Sequence, residues 1–203
     1  MANFYQQNFW DNRYAKKEYV YGEQPNQFLK EVIDDLKPGK VILPAEGEGR
    51  NAVYAASLGW EVDAYDSSKK GKSKAESLAI KRGVSINYTT NDHEAWEPKH
   101  EAYDLAVMTY AHCDPKTRKA LHTKVIDSLK PGGIVLYEAF RKEQIELDTG
   151  GPKDIDMLLD KETLRADFIN LSILELTELE VDLSEGEYHN GVSRIIRMIA
   201  KKK

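Results

Sequence analysis

Strand-like and helix-like segments alternate along residues 28–136, and this alternation constrains the fold more than any other feature of the sequence. Short apolar runs at residues 41–43, 105–108 and 134–136 are typical of strands that are buried on both faces. Segments with apolar residues at helical spacing lie between these runs. Strands and helices that alternate in this way form a parallel sheet with helices on both faces. We therefore predict an α/β fold, a Rossmann-like three-layer sandwich.

The pattern changes toward the C-terminus. Residues 173–183 form a long strand-like run, residues 185–191 are typical of a turn, and residues 192–200 form a second strand. Two strands joined by a short loop pair in antiparallel fashion. The sheet is therefore expected to be mainly parallel, with an antiparallel hairpin at its C-terminal end. The closing lysines, residues 201–203, are expected to form a solvated tail.

Composition excludes several classes of protein. Lys and Arg number 29 against 34 Asp and Glu, so the net charge of −5 argues against a general nucleic-acid binder, although a local basic patch stays possible. Cys113 is the single cysteine, so the chain forms no internal disulfide. The sequence has no apolar run of about 18 residues and no signal-peptide pattern at residues 1–10. We expect a cytoplasmic protein with no membrane or nucleic-acid partner.

The strongest local signal is a buried strand that runs into Gly47-Glu48-Gly49 and then into a helix. Glycine lets the backbone approach a ligand closely, and the free amides at the start of a helix can hold a carboxylate or a phosphate. Asp66 ends the next strand, where an acidic side chain is placed to bind the two hydroxyls of a ribose. Its alternative role is helix capping, beside Ser67 and Ser68. The combination predicts an adenosine-type ligand.

Two classes of cofactor fit this framework, a dinucleotide and another adenosine-type cofactor. The spacing of Gly47, Gly49 and Ala52 satisfies the dinucleotide fingerprint, so an NAD(P)-dependent reductase is one alternative. The C-terminal hairpin argues against it, because a hairpin does not continue the second half of a dinucleotide-binding fold. A non-catalytic sensor that binds a cofactor is a further alternative.

Residues 41–52, with the sequence VILPAEGEGRNA, resemble motif I of class I S-adenosylmethionine-dependent methyltransferases. Residues 103–107 resemble the fourth strand of that family, and residues 129–133 resemble its joint before the fifth strand. Two positions depart from the family pattern. Ala45 stands where the family usually has glycine, and Glu46 stands where a small residue is common. Glu46 could pair with the ammonium group of the cofactor or face water.

More narrowly, the chain resembles the TehB-like branch, which is named for tellurite resistance and is related to thiopurine and thiol methyltransferases. Four motifs carry this resemblance: Phe9-Trp10-Asp11-x-Arg13-Tyr14, Tyr21-Gly22-x-x-Pro25-Asn26, Gly150-Gly151-Pro152-Lys153 and Glu185-Gly186-x-Tyr188-His189-x-Gly191.

The resemblance implies methyl transfer from S-adenosylmethionine, with S-adenosylhomocysteine as product. The implied acceptor is a small, soft nucleophile, either a thiol or a chalcogen oxyanion such as tellurite or selenite. An acceptor that is already anionic needs no general base for in-line displacement, because the cofactor carries the activated methyl group. We expect a small-molecule acceptor as the partner, and a monomer or a homodimer.

The chain of 203 residues has the length of a single domain. Residues 1–27 hold seven of the 19 aromatic residues, including Phe4 and Tyr5. They are interpreted as an arm pinned by its rings, as a lid over a ligand, or as both. Residues 28–140 are assigned as the cofactor-binding core, and residues 141–203 as the substrate-side loop and hairpin.

The candidate residues fall into three groups. The implied cofactor-binding residues are Arg13, Ala45, Glu46, Gly47, Glu48, Gly49, Arg50, Asn51, Asp66, Ser67, Asn91, Asp92 and Tyr110. The predicted aromatic wall and substrate contacts are Trp10, Tyr14, Tyr19, Tyr21 and Arg194. The catalytic candidates are His112 and His189.

Alternative roles stay open for some of these residues. Asn91 and Asp92 either contact adenine or form an ordinary turn, and Arg194 either attracts an anionic acceptor or pairs with acids across the hairpin. Cys113 is interpreted as a buried structural cysteine rather than a catalytic thiol. No metal site is expected, because the histidines show no ligand spacing.

Overall fold

The computed structural model describes the backbone of residues 2–203 and the side chains of residues 7–203, so the predicted arm rings of Phe4 and Tyr5 lie outside the described side chains. The chain forms two compact units. The first comprises the residues up to Trp96 together with Glu185–Glu187, and the second comprises Glu97–Ser184 and Tyr188–Lys203.

The first unit contains three parallel strands in the order β3-β2-β1 with four helices. Its elements in the described chain are α1 (Ala2–Arg13), α2 (Gln27–Ile33), β1 (Lys40–Pro44), α3 (Arg50–Ser57), β2 (Glu61–Asp66), α4 (Lys69–Arg82) and β3 (Asn87–Thr90). The central strand-forming residues Val41, Ile42 and Leu43 are almost fully buried, as expected for a strand covered on both faces.

Side-chain caps fix where two of these helices begin. Asn26 precedes α2, and its side chain accepts a hydrogen bond from the amide of Leu29. Ser68 precedes α4, and its hydroxyl accepts from the amide of Gly71. Each bond satisfies one of the amides that the first turn of a helix leaves without a partner. Either Ser67 or Ser68 is a suitable cap by residue type, and the structure shows that Ser68 is the cap.

The second unit contains the remaining strands, in the order β4-β5-β7-β6. Its elements are β4 (Tyr103–Thr109), α5 (Pro115–Ser128), β5 (Leu129–Phe140), α6 (Lys161–Asp167), β6 (Leu171–Ser184) and β7 (Asn190–Lys202), with short 3-10 turns at Lys142–Glu146 and Ile155–Met157. Strands β4 and β5 are parallel, whereas β7 is antiparallel to both β5 and β6. The predicted α/β class, mainly parallel with a C-terminal antiparallel hairpin, is confirmed.

Three sequence-based boundaries were wrong. The alternation of Val84, Ile86 and Tyr88 predicts a strand from residue 84, but only residues 87–90 pair with β2, so the strand begins at Asn87. The helical spacing of Leu121, Val125 and Leu129 predicts that Leu129 lies in the helix, but Leu129 is extended and pairs with Tyr103. The predicted lysine tail is partly ordered, because Lys202 lies in β7 and its ammonium group donates to the carbonyl of Leu129.

No helix in the described part of the chain combines the length and the apolar character needed to cross a membrane.

Candidate active site

The turn between β1 and α3 is a tight loop of left-handed residues. Gly47 has φ of 63° and Gly49 has φ of 86°. A Cβ atom on Gly47 would lie 2.7 Å from the hydroxyl oxygen of Tyr14, and one on Gly49 would lie 2.5 Å from the Cβ of Ala75. Both positions therefore require glycine for conformation and for space. Ala45 also lies in the left-handed region, with φ of 54°, so its backbone is strained where glycine would not be.

Asp66 connects this loop to the start of α4. One carboxylate oxygen accepts from the amide of Gly47 at 3.0 Å, and the other accepts from the amide of Ser68 at 2.8 Å. Burial raises the pKa of Asp66 to about 6, although the backbone hydrogen bonds, including that from Ser67, lower it in part. The predicted ribose-binding carboxylate is thus held at the carboxyl end of β2, against the glycine loop.

Glu46 caps α3, an arrangement that the sequence did not suggest. Its Oε1 atom accepts from the amides of Asn51 at 2.8 Å and Ala52 at 2.7 Å. Burial raises the pKa of Glu46 to about 7, while these hydrogen bonds act in the opposite direction. The amides expected to hold a ligand's carboxylate or phosphate are therefore already bonded to the chain's own carboxylate.

Glu48 holds the end of the N-terminal arm. It is 4% exposed, and its Oε2 atom accepts from the amides of Val20 at 2.8 Å and Tyr21 at 3.4 Å. Its other oxygen is 2.5 Å from the ammonium nitrogen of Lys74. A buried carboxylate needs partners of this kind to remain charged. The predicted cofactor-binding residue Glu48 thus has a structural role in this unit.

Arg50 and Asn51 also anchor other segments of the chain. Arg50 pairs with Glu185 at 2.7 Å and donates to the carbonyl of Tyr21 at 3.2 Å. The side chain of Asn51 accepts from the amide of Asn26, and the Asn26 side chain donates to Glu185. Three of the motifs that carried the family resemblance therefore meet in this network. Sequence reasoning missed the role of Glu185, although its motif had been singled out.

Three of the four predicted wall rings lie together. Trp10 stacks on Tyr14 with centroids 5.5 Å apart, and Tyr14 meets Tyr21 edge-on at 6.4 Å. The guanidinium of Arg13 donates to the hydroxyl of Tyr21 at 3.2 Å. Tyr19 is directed elsewhere, because its hydroxyl donates to a backbone carbonyl of α4. We therefore limit the candidate wall to Trp10, Tyr14 and Tyr21, with Arg13 beside it.

Asn91 and Asp92 form a turn at the end of β3. The amide of Asn91 donates to the carbonyl of Asp66, and its side chain donates to the hydroxyl of Thr89. Asp92 accepts from the amide of Ala95 at 2.7 Å. This geometry favours the turn interpretation for Asp92, and it places Asn91 next to the end of β2.

Tyr110 follows β4 in the second unit, in a left-handed conformation with φ of 53°. Its hydroxyl donates to the buried Glu138 at 2.9 Å, and Glu138 also accepts from Arg197 at 2.6 Å. The Tyr110 ring lies 4.7 Å from the ring of Phe140 and 4.3 Å from that of His189. Strain in a non-glycine residue at the end of a parallel strand is a common feature of functional sites.

His112 bonds to backbone groups through both of its ring nitrogens. Nε2 accepts from the amide of Phe140 at 3.1 Å, so Nδ1 carries the proton that is donated to the carbonyl of Met157 at 2.9 Å. Burial lowers the pKa of His112 to about 4, which keeps the ring neutral. This geometry favours a structural role. The adjacent Cys113 is buried, and burial raises the pKa of its thiol to about 12, in agreement with a structural cysteine.

His189 is 7% exposed and packs between Tyr110 and Phe140. Gly150, in the motif of residues 150–153, explains part of this placement. A Cβ atom on Gly150 would lie 2.7 Å from the carbonyl of Tyr188 and 3.1 Å from the His189 ring. The second catalytic candidate therefore lies in an aromatic cluster that depends on Gly150.

Arg194 pairs with acids, as one of its two predicted roles required. Its guanidinium lies 2.6 Å from Glu146 and 3.4 Å from Glu180 across the hairpin. These contacts favour the structural interpretation over attraction of an anionic acceptor.

Residues 43–133 match the family of methyltransferase domains. The match covers 91 of the chain's 203 residues. The domain identifies an enzyme that transfers methyl groups and uses S-adenosylmethionine as its cofactor.

Solved structures agree with this assignment at the level of the fold. One, from work on the conversion of a disulfide bond into a thioacetal group during echinomycin biosynthesis, has a TM-score of 0.79 at 16% identity and covers 98% of this chain and 92% of its own. TehB from Haemophilus influenzae has a TM-score of 0.72 at 18% identity, with 98% and 67% covered. The N-methyltransferase NodS from Bradyrhizobium japonicum WM9 has a TM-score of 0.68 at 13% identity, with 87% and 92% covered. At these identities the likeness shows a shared class I methyltransferase fold.

The residues of the first unit fit S-adenosylmethionine. The carboxylates of Glu46, Glu48 and Asp66 lie on or against the glycine loop, and a cluster of acids suits a cofactor with a positively charged sulfonium. The same set suits a dinucleotide poorly, because its pyrophosphate would meet Glu46 at the start of α3.

Proposed function

We propose that this methyltransferase acts on a small, soft nucleophile, either a thiol or a chalcogen oxyanion such as tellurite or selenite. The observation that carries the choice of cofactor chemistry is the bond between Glu46 and the α3 amides, which disfavours the NAD(P) alternative. Two of the structural neighbours support the acceptor class. One was studied for disulfide-to-thioacetal conversion, and the other is TehB.

Particular residues of the first unit would hold the cofactor. Asp66 is proposed to accept hydrogen bonds from the ribose hydroxyls, as its place at the end of β2 supports. Arg13 is proposed to bind the cofactor carboxylate through its guanidinium. The rings of Trp10, Tyr14 and Tyr21 are proposed to stabilise positive charge, at about 0.5–2 kcal/mol for each ring that faces it.

When bound, the cofactor supplies a methyl carbon that is already activated by the positive sulfur. The protein is therefore required to orient the acceptor and exclude water, for which positioning is worth up to roughly 7–11 kcal/mol in model reactions.

The surroundings of His112 and Cys113 in the second unit favour an acceptor that arrives already deprotonated. His112 has no ring nitrogen outside its backbone bonds, and the raised pKa of Cys113 keeps it a neutral thiol. Neither group suits general-base catalysis, which a hydroxyl or amine acceptor would need. His189 is proposed to orient the acceptor or to act as a base.

Calorimetric titration of the purified protein with S-adenosylhomocysteine, with NADH in parallel, tests the cofactor assignment. We expect micromolar binding of the first ligand and none of the second. Binding of NADH alone would overturn the proposal.

The acceptor is tested by measuring methyl transfer to a panel of thiols, tellurite and selenite, with an amine and a catechol as controls. We expect turnover with at least one soft acceptor and none with the controls. Turnover with the controls alone contradicts the acceptor class, and cofactor binding without any turnover favours a sensor.

A further inference from the structure

We propose that Glu46 makes this site selective for the charge of its cofactor, so that it favours the cationic methyl donor over the product, whose sulfur is neutral. The inference rests on the proposed function, because it requires S-adenosylmethionine to bind beside the loop of residues 45–49. It assigns a specificity role to a side chain that stands where a small residue is common in this family.

The argument starts from the helix that Glu46 caps. The first turn of a helix carries roughly half a positive charge, which attracts anions and disfavours cations. The Glu46 carboxylate accepts from two amides of this turn, at Asn51 and Ala52. When Glu46 is ionised, as it mostly is above its pKa of about 7, its negative charge outweighs the roughly half positive charge of the helix and leaves the start of α3 negative. Glu46 thus reverses the electrostatic preference that this helix would otherwise have.

The neighbouring acids differ from Glu46 in their partners. Glu48 is matched by the ammonium group of Lys74. Asp66 spans the amides of Gly47 and Ser68. Among the described residues Glu46 takes part in no ion pair, and its carboxylate oxygen is bonded to neutral amides. Glu46 therefore lacks the direct ion pair that Glu48 makes with Lys74, although the nearby Arg50 guanidinium also favours its charged form.

The two forms of the cofactor differ by one charge, which is carried by the sulfur atom. The donor carries a sulfonium, an ammonium and a carboxylate, for a net charge of +1, whereas the product has a neutral sulfur and a net charge of zero. At an effective dielectric constant of about 20, two unit charges about 12 Å apart change a binding constant about tenfold. A carboxylate on the loop therefore favours the donor and promotes release of the product after each turnover.

A substitution can remove this charge without removing the cap. In Glu46→Gln the side-chain oxygen still accepts from the two α3 amides, so the loop is retained while the negative charge is lost. Glu76→Gln is the matched control, because it changes the net charge by the same amount on the exposed face of α4, where the Glu76 side chain is 51% exposed. Glu46→Asp and Glu46→Asn form a second pair that differs in charge alone.

The experiment is calorimetric measurement of the Kd for S-adenosylmethionine and for S-adenosylhomocysteine with each full-length protein. We expect the ratio of the product Kd to the donor Kd to fall about tenfold in Glu46→Gln and to stay within twofold of wild type in Glu76→Gln. The same ratio should be higher in Glu46→Asp than in Glu46→Asn by a similar factor. This pair of variants tests the inference if Glu46→Gln does not fold.

An unchanged ratio in a folded Glu46→Gln protein, or equal ratios in the Asp and Asn pair, overturns the inference while leaving the proposed function intact. Failure of the wild-type protein to bind either ligand overturns the proposed function and the inference with it.

Discussion

The glycine loop of the first unit and the aromatic cluster of the second hold their polar groups by opposite means. In the loop, the carboxylates of Glu46, Glu48 and Asp66 accept from backbone amides, so a negatively charged frame fixes the shape. In the cluster, His112 stays neutral and bridges two backbone groups beside the ring of Phe140. The first arrangement suits a cationic cofactor. The second is a buried, largely apolar cluster in which the histidine ring is kept neutral by burial.

We expect the largest effect from Asp66→Ala, which removes one of the carboxylates that hold the glycine loop. Asp66→Ala removes the acceptor for the amides of Gly47 and Ser68 and removes the proposed ribose ligand. Because hydrogen bonds to charged groups contribute about 1.5–3 kcal/mol each, we expect the affinity for S-adenosylhomocysteine to fall at least about a hundredfold in calorimetry. The exposed Asp35 gives the control substitution Asp35→Ala. Unchanged affinity in Asp66→Ala would remove the ribose assignment.

The corresponding substitution in the aromatic cluster of the second unit is His112→Phe. An aromatic ring is kept at this position, but the amide of Phe140 and the carbonyl of Met157 lose their partner. Each unsatisfied buried group costs about 1–3 kcal/mol, so we expect the free energy of unfolding in urea to fall by about 2–4 kcal/mol. The same substitution at His100, whose side chain is 75% exposed, should have little effect. Full stability with lost turnover would instead point to a catalytic His112.

The substitution His189→Ala tests whether the aromatic cluster contributes to turnover without contributing to cofactor binding. We expect turnover to fall about tenfold or more, because an orienting group or base is lost, while the Kd of S-adenosylhomocysteine stays within about twofold. Steady-state kinetics and calorimetry on the same preparation measure the two effects. Equal activity would take His189 out of the site, and a parallel loss of cofactor affinity would contradict the division of roles.

The two regions should respond to pH with opposite signs. The folded-state pKa of Glu46 is about 7, above its usual value near 4.5, so the folded state binds the extra proton between these values and stability rises as pH falls from 7 toward 4.5. For His112 the folded-state pKa is about 4, below its usual 6.5, so the unfolded state binds the extra proton and stability falls as pH drops from 6.5 toward 4.

Hydrogen exchange, corrected for intrinsic rates, measures this difference at the amides of α3 and β5. Between pH 7 and pH 5 we expect protection in α3 to rise and protection in β5 to fall, by on the order of 1–3 kcal/mol each. Glu46→Gln and His112→Phe are the controls, since each should reduce the change in its own region. Asp66 and His122, whose pKa values are shifted in the same directions by burial, account for the change that is left. Parallel changes in both regions would contradict the assignment.

The smallest expected effect is at Ala45. Ala45→Gly relieves the left-handed strain, which costs about 1–2 kcal/mol, but adds about 0.5–1 kcal/mol of unfolded-state entropy. We expect a net gain in stability of up to about 1 kcal/mol, seen as a higher urea midpoint. A loss of stability would show that the Ala45 methyl group contributes packing that outweighs the strain.

Much of the fold was predictable because its signals are local. Apolar runs mark β1, β4 and β5, while Asp114 and Pro115 mark the start of α5 through a cap and a fixed φ. The glycine loop was also predictable, because Gly47 and Gly49 stand between a buried apolar run and a helical segment. Errors fell at element boundaries such as Leu129, where pairing with Tyr103 overrode helical periodicity. The expectation of one domain stays a prediction.

The sequence by itself determined the fold class, the place of the glycine loop and the acid at the end of β2, since these depend on residue type and short spacing. Only the tertiary structure decided which polar groups meet. Arg50 and Glu185 are 135 positions apart, and His112 bonds to the backbone of residues 28 and 45 positions away. Such partners are selected by burial, because a polar group removed from water must find whichever partner the fold brings near it. The capping of α3 by Glu46 was not predictable from the sequence either. Asn51 and Ala52 lie only five and six positions after Glu46, but the rotamer of the Glu46 side chain depends on how the loop packs.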